Sequence, residues 1–272
     1  MTNSVHASER SACRPSADLR IVGQGLMVPL VTGGVRRYAN LDHAASAPCL
    51  VAVEEAVDAL LPWYSSVHRG AGFPSRVATA AYEGARDAVL DFVGARAGDT
   101  VVFTRHTTEA INVLANALPE DADVVVFAAE HHADLLPWLR GRATVLPVPA
   151  SPEEALDLLD HALVAARGGV GLVAVTGASN VTGEIWPYPE IAEIAHRHGA
   201  RVLLDAAQLA PHRPIDMAAT GVDYLAFSGH KLYAPFGAGV LVGRPDWLAA
   251  WEPLLAGGRC RPVRHRRLEI LG

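Results

Sequence analysis

Two stretches carry the fold: residues 202–208, Val202-Leu203-Leu204-Asp205-Ala206-Ala207-Gln208, and residues 224–233, Tyr224-Leu225-Ala226-Phe227-Ser228-Gly229-His230-Lys231-Leu232-Tyr233. Each is a short, unbroken apolar run that stops at polar residues. An unbroken run means a strand that is apolar on both faces, and such strands belong in a parallel sheet covered by helices on both sides. Similar runs fall at 100–103, 124–127, 144–148 and 171–175. Helix-like segments separate them, at 107–117, 133–140, 152–166, 187–198 and a short one near 215–220. Upstream lie an amphipathic stretch over 51–65 and a longer one over 75–95, where Val77, Ala81, Ala85, Val89 and Phe92 recur at helical spacing. A last run at 239–242 comes directly after the loop beyond Lys231 and is expected to pair antiparallel at one edge. The pattern predicts an α/β fold, a mainly parallel sheet with helices on both faces.

The 272 residues are 50% hydrophobic and 19% charged, the balance of a globular chain and not of a disordered or fibrous one. A formal charge of −6 excludes bulk attraction to nucleic acid or to an anionic membrane as a default role. No apolar run approaches the roughly 18 residues of a membrane span. Cys13, Cys49 and Cys260 are odd in number and far apart, with no CxxC. They make neither a disulfide framework nor a zinc site and suit a reducing, cytoplasmic setting. Residues 1–20 lack the apolar core of a secretory signal. They are rich in Ser, Ala and Arg, as transit peptides are, but Glu9 and Asp18 oppose that, and the segment reads as a disordered tail. One count stands out. Of the 23 Lys and Arg residues, only Lys231 is a lysine. A guanidinium stays protonated and is no amine nucleophile, whereas burial can deprotonate a lysine.

In open parallel sheets, ligands bind beyond the carboxyl ends of the strands, so the residues after each run are the place to look. After 100–103 comes Thr104-Arg105-His106-Thr107-Thr108-Glu109, a hydroxyl-rich turn opening a helix. It suits an anion, or simply an N-cap. After 124–127 comes Glu130-His131-His132-Ala133-Asp134. Adjacent histidines splay apart and there is no HExxH, so a metal is disfavoured; one histidine stacked on a planar ligand and a plain polar loop both remain. Asn180, in Ser179-Asn180-Val181-Thr182-Gly183, serves either the crevice or its own turn. Asp205 directly after a buried strand is costly unless paired or bound to a cation. Lys231 lies just beyond the run at 224–227 and precedes a Gly/Pro loop. Together these five places converge on pyridoxal phosphate. That cofactor needs a lysine for its imine, an acid on the ring nitrogen, an anion cup, a flat partner and a donor near the phenolic oxygen.

On these residues the stretch from Leu41 to Trp247 resembles the class V aminotransferase family of pyridoxal-phosphate enzymes, which includes cysteine desulfurases, selenocysteine lyases and epimerases. The matching strings include Leu41-Asp42-His43-Ala44-Ala45, Val67-His68-Arg69-Gly70, Tyr82-Glu83-Gly84-Ala85-Arg86, Thr107-Thr108-Glu109-Ala110-Ile111-Asn112, Asp205-Ala206-Ala207-Gln208 and, most specific, Phe227-Ser228-Gly229-His230-Lys231-Leu232-Tyr233. The resemblance implies the large domain of a fold type I pyridoxal-phosphate enzyme over residues 21–255. It places a piece of a smaller domain near 21–40. It implies that Lys231 carries the cofactor as a Schiff base and moves the proton. Asp205 would pair the ring nitrogen, Gln208 and Asn180 would hold the phenolic oxygen, and His131 would stack on the ring. Thr107, Thr108, Ser228 and His230 would bind the phosphate, while His68 and Arg69 would border an amino-acid substrate. His106 departs from the family, which usually has Gly there, and so does His43, where Asn is common.

The resemblance further implies a homodimer and a reaction most like that of a cysteine desulfurase, L-cysteine to L-alanine plus enzyme-bound sulfur. An aminotransferase or an epimerase is the alternative within the chemistry. Family chains run to about 400 residues, by the same resemblance, with a C-terminal small domain carrying the substrate-carboxylate Arg and the sulfur-accepting Cys. Residues 256–272, with five Arg between Arg259 and Arg267, do not look like that domain, and a truncation or frameshift is the expectation. A cofactor-binding remnant without activity is the reading from another class. Ser228-x-x-Lys231 also fits the S-x-x-K of serine acyl-enzymes, but it leaves a strand for a Gly/Pro loop and no KTG or SDN comes after it. Gly237-Ala238-Gly239 precedes a strand, so it is not a dinucleotide fingerprint.

Overall fold

The computed structural model describes residues 19–166 and 169–250. The expectations for residues 1–18 and for the basic tail 256–272 lie outside the described residues. The chain opens with a small antiparallel hairpin, β1 (Met27–Pro29) and β2 (Val35–Arg37). Helices α1 (Val51–Leu60) and α2 (Phe73–Phe92) come after it. Next are β3 (Thr100–Thr104), α3 (Thr107–Ala117), β4 (Val124–Phe127), α4 (His132–Leu135), β5 (Ala143–Leu146) and α5 (Pro152–Ala165). The order closes with β6 (Leu172–Thr176), α6 (Tyr188–Arg197), β7 (Arg201–Asp205), α7 (Met217–Thr220), β8 (Tyr224–Ser228), β9 (Gly239–Gly243) and α8 (Pro245–Ala250). The helix expected over 133–140 divides. Pro137 has no N–H to give to the ladder, so α4 stops and a separate 3₁₀ turn, Trp138–Arg140, succeeds it.

Seven strands form one sheet in the order β3-β9-β8-β7-β6-β4-β5. The five strands from β8 to β5 run parallel. β9 is antiparallel, as expected, but not at an edge: it lies between β3 and β8, antiparallel to both. All five of its residues are buried, whereas of β3 only Val101 is, so β3 takes the edge. A five-residue apolar run fits the inner position because it covers both faces.

The period of two in the strands divides the core into two layers. Val125, Phe127, Val173, Val175, Val202, Leu204, Leu225 and Val242 face one side, under α5 and α6. Val124, Val126, Leu172, Ala174, Leu203, Tyr224, Ala226 and Leu241 face the other, under α3 and Trp138. Helix α3 buries Ala110, Ile111, Val113, Leu114 and Ala117, an i, i+1, i+3, i+4, i+7 stripe. Each fully buried aliphatic side chain contributes about 1.5–3 kcal/mol. This double layer holds five strand ends in one row.

Asp223 locks the opposite, amino-terminal end of the sheet. It is 1% exposed and accepts from His196 Nε2 (2.8 Å), Arg244 Nε (2.7 Å) and Val202 N (3.0 Å). Burial works to raise its carboxyl, but the bonds from His196 and Arg244 outweigh it and hold the pKa below the usual value.

Candidate active site

A cavity of about 350 Å³ opens over the carboxyl ends of the strands. Its walls are the residues just after them: Thr107 and Thr108 after β3, His131 after β4, Asn180 after β6, Asp205 and Gln208 at β7, and Ser228, His230 and Lys231 at β8. Nine of the residues singled out in the sequence therefore meet in one place. His68 and Arg69 are not among those lining it. His68 has φ +59°, and its Nε2 lies 2.9 Å from Glu83 on α2, with its ring edge-on to Tyr82.

Asp205 ends β7 and is 4% exposed. Its Oδ1 accepts from Ala207 N at 2.9 Å. Burial pushes its carboxyl up, while that backbone bond and the charges of Lys231 and His131 pull it back toward ionisation. Lys231 sits on the single 3₁₀ turn Gly229–Lys231. Burial pushes its amine down and Asp205 pushes it up; the net is below an ordinary lysine, which favours the free amine. Backbone bonds from Ala47 N to His230 O (2.8 Å) and from Leu50 N to Tyr233 O (3.1 Å) clamp that turn.

Across the cavity, α3 begins at His106, whose Nδ1 accepts from Glu109 N at 3.1 Å. Thr107 N donates to Ser228 Oγ at 2.7 Å, and the two hydroxyls lie 2.6 Å apart. One of these hydroxyls donates to the other, so one O–H remains for a ligand. His230 is lowered by burial, then by Lys231 and His106. His131 caps α4, its Nδ1 accepting from Ala133 N at 3.0 Å.

Ser179 Oγ accepts from Val181 N (3.2 Å) and Thr182 N (3.1 Å), so the turn is closed by Ser179 and not by Asn180. The Asn180 amide is left to the cavity. Gln208 Nε2 donates to Ala44 O at 3.0 Å, which spends one of its two N–H groups. The burial of two residues beside the cavity escaped sequence reasoning: Glu130 and Asp134 are 4% and 0% exposed. Their place in a polar string hid their burial. Trp138 four residues on is the one signal, because its indole N–H needs a buried acceptor.

A doubly covered, mainly parallel sheet with a lysine and an acid converging beyond its strand ends is the architecture of the α/β class, in which cofactor-dependent enzymes place their sites. The family model described as Aminotransferase class-V matches residues 39–267, and the chain belongs to that family, one of pyridoxal-phosphate enzymes. It is 40% identical over 228 residues to a probable cysteine desulfurase of Halalkalibacterium halodurans, covering 80% of this chain and 56% of that protein. It is 42% identical over 231 residues to a cysteine desulfurase of Dickeya dadantii, covering 81% and 56%. Among solved structures, a cysteine desulfurase of Escherichia coli in its S-sulfonic acid form superposes with a TM-score of 0.68 at 37% identity, covering 80% of this chain and 57% of that one. The apo cysteine desulfurase of Thermococcus onnurineus gives 0.69 at 33%, covering 80% and 56%. The chain thus spans a little over half the length of these relatives.

Proposed function

We propose that this chain binds pyridoxal phosphate and belongs to an enzyme acting on an amino acid, most like a cysteine desulfurase that converts L-cysteine to L-alanine and retains the sulfur. One observation carries the reading. The only lysine of the chain is half-buried at the end of β8, within the field of the buried Asp205 and in the same cavity as the start of α3. The donor set fits the cofactor. Lys231, Asn180 and Thr108 have no side-chain hydrogen bond among the described residues, and the cavity has the size of a small-cofactor site. Bound there, pyridoxal phosphate supplies an electron sink for bond breaking at the substrate's carbons.

The protein's residues have distinct tasks in this reading. Lys231 Nζ would hold the cofactor and would take and return a proton; burial lowers its pKa, which favours the free amine. Asp205, its carboxyl raised by burial and drawn back toward ionisation by Ala207 N and Lys231, would hold a proton on the ring nitrogen. His131 stacks on the ring. Asn180 and the second N–H of Gln208 orient the phenolic oxygen. Thr107, Thr108, Ser228 and His230 take the phosphate, aided by the positive end of α3. His68 and Arg69 border the substrate. Residues 21–255 act as one cofactor-binding domain in a cytoplasmic homodimer.

The test is an absorbance titration of the purified chain with pyridoxal phosphate. A visible band that is absent in Lys231→Ala supports the reading; no band in the wild type overturns it. Adding L-cysteine and measuring sulfide and alanine then tests the desulfurase assignment. Keto-acid products assign a transferase instead, and a band without turnover assigns a cofactor binder.

A further inference from the structure

Glu130 and Asp134 flank the His131 segment and have no task in the proposed function. Both are buried. Taken as carboxylates, both oxygens of Glu130 and Oδ2 of Asp134 have no hydrogen-bond partner. Only Asp134 Oδ1 is served, by Trp138 Nε1 at 3.2 Å. No cation pairs with either group among the described residues. The charged group that faces the pair is Asp205 on β7, itself acidic; Lys231 and His131 act on Asp205. From β6 the Thr176 backbone faces Glu130 and opposes the rise, without meeting the geometry of a full hydrogen bond. Burial, then the charge of the neighbouring acids, pushes both carboxyls well above their usual range. Two adjacent buried carboxylates without a cation are not a stable state. One proton between them removes a charge and gives two of the orphaned oxygens a partner.

We propose that Glu130 and Asp134 share a proton, the O–H of one acid donating to an oxygen of the other, and that this bond closes the segment between them so that His131 points into the cavity. The backbone agrees. Glu130 N donates to Phe127 O (3.1 Å), Asp134 N to His131 O (2.7 Å) and Leu135 N to His131 O (2.9 Å), so the segment is pinned at both ends; of its two exposed histidines, His131 and His132, it is His131 that lines the cavity. Glu130 and Asp134 are positioning residues, and their purpose rests on the reading of His131 as the ring-stacking group.

Two measurements on the full chain without cofactor test the proposal. The first is urea unfolding from pH 5 to pH 8, wild type against E130Q/D134N, in which an amide N–H replaces the shared proton. An acid whose folded pKa is raised loses stability as pH climbs from its unfolded value toward the folded one. The ratio of unfolding constants, wild type over variant, is therefore expected to grow about tenfold per pH unit for each proton held. A ratio that stays flat overturns the shared proton. The second is acylation of His131 by diethyl pyrocarbonate at fixed pH, read by peptide mass spectrometry relative to His196. E130Q/D134N is expected to match the wild type, while D134L, which fills the space but cannot bond, is expected to shift the His131 rate several-fold. Equal rates in all three overturn the positioning role. Neither measurement uses the cofactor, so a missing Lys231-dependent band would reject the proposed function and leave both results standing.

Discussion

Gly239→Ala is expected to disturb the cavity from its floor. Gly239 opens β9, pairing with Thr104 of β3 on one side and Ser228 of β8 on the other. A Cβ there would lie 2.6 Å from both N and Cα of His106 and 2.8 Å from its carbonyl carbon. That is about 0.8 Å inside the 3.4 Å at which ordinary contact begins. The atoms are backbone, so no rotamer relieves the clash, and either β9 or the start of α3 must move. Overpacking of this kind costs about 1–3 kcal/mol, and stretching the 2.7 Å bond from Thr107 N to Ser228 Oγ adds about 1 kcal/mol. We expect about 2–4 kcal/mol in urea unfolding, read as a lower midpoint at constant m-value, with weakened pyridoxal-phosphate binding. Gly237→Ala is the control. Its Cβ would meet Arg105 O at 3.5 Å, ordinary contact, and the expected cost is under about 1 kcal/mol. If Gly239→Ala falls within about 0.5 kcal/mol of the wild type, no better resolved than the control, the coupling of β9 to the α3 terminus is refuted.

Ser228→Ala leaves the buried Thr107 N–H without an acceptor and is expected to cost about 1–3 kcal/mol by thermal or urea unfolding. His106→Ala removes the acceptor for Glu109 N at the α3 cap. It should cost about 0.5–2 kcal/mol, whereas Gly at 106 should cost less than Ala. Asp223 has a depressed folded pKa, so its stabilisation is full above the unfolded value near 4 and is lost as pH falls through the folded value. Urea midpoints from pH 3 to 7 should therefore show a steep acid limb in the wild type that Asp223→Asn flattens. Asp223→Ala, which leaves the buried Val202 N–H without an acceptor and releases the part-exposed Arg244 and His196, should lose about 1–3 kcal/mol at neutral pH.

The strands were legible because their residues are apolar on both faces, and that pattern has few other homes. The row of site residues was legible for the same reason: once the strand ends are known, the residues immediately beyond them face the crevice. Two features were not. The position of β9 depends on a pairing with β3, some 140 residues earlier, that no local pattern announces. The burial of Glu130 and Asp134 depends on where the short α4 docks, and a string of acids and histidines reads the same whether it faces water or the core. His68 and Arg69 came from resemblance alone and lie outside the cavity lining.

The insertion of β9 between β3 and β8 has a consequence for how the protein comes to be made. β3 carries the start of α3, and β8 carries Lys231; the strand that joins them is, among the described residues, the last one synthesised. Until β9 leaves the ribosome, β3 lacks its sheet neighbour and its apolar residues stay exposed, so the anion cup and the lysine come into register in a late step. A folding block at that stage would yield a chain with five parallel strands and half a site, a species for chaperones to hold and proteases to recognise.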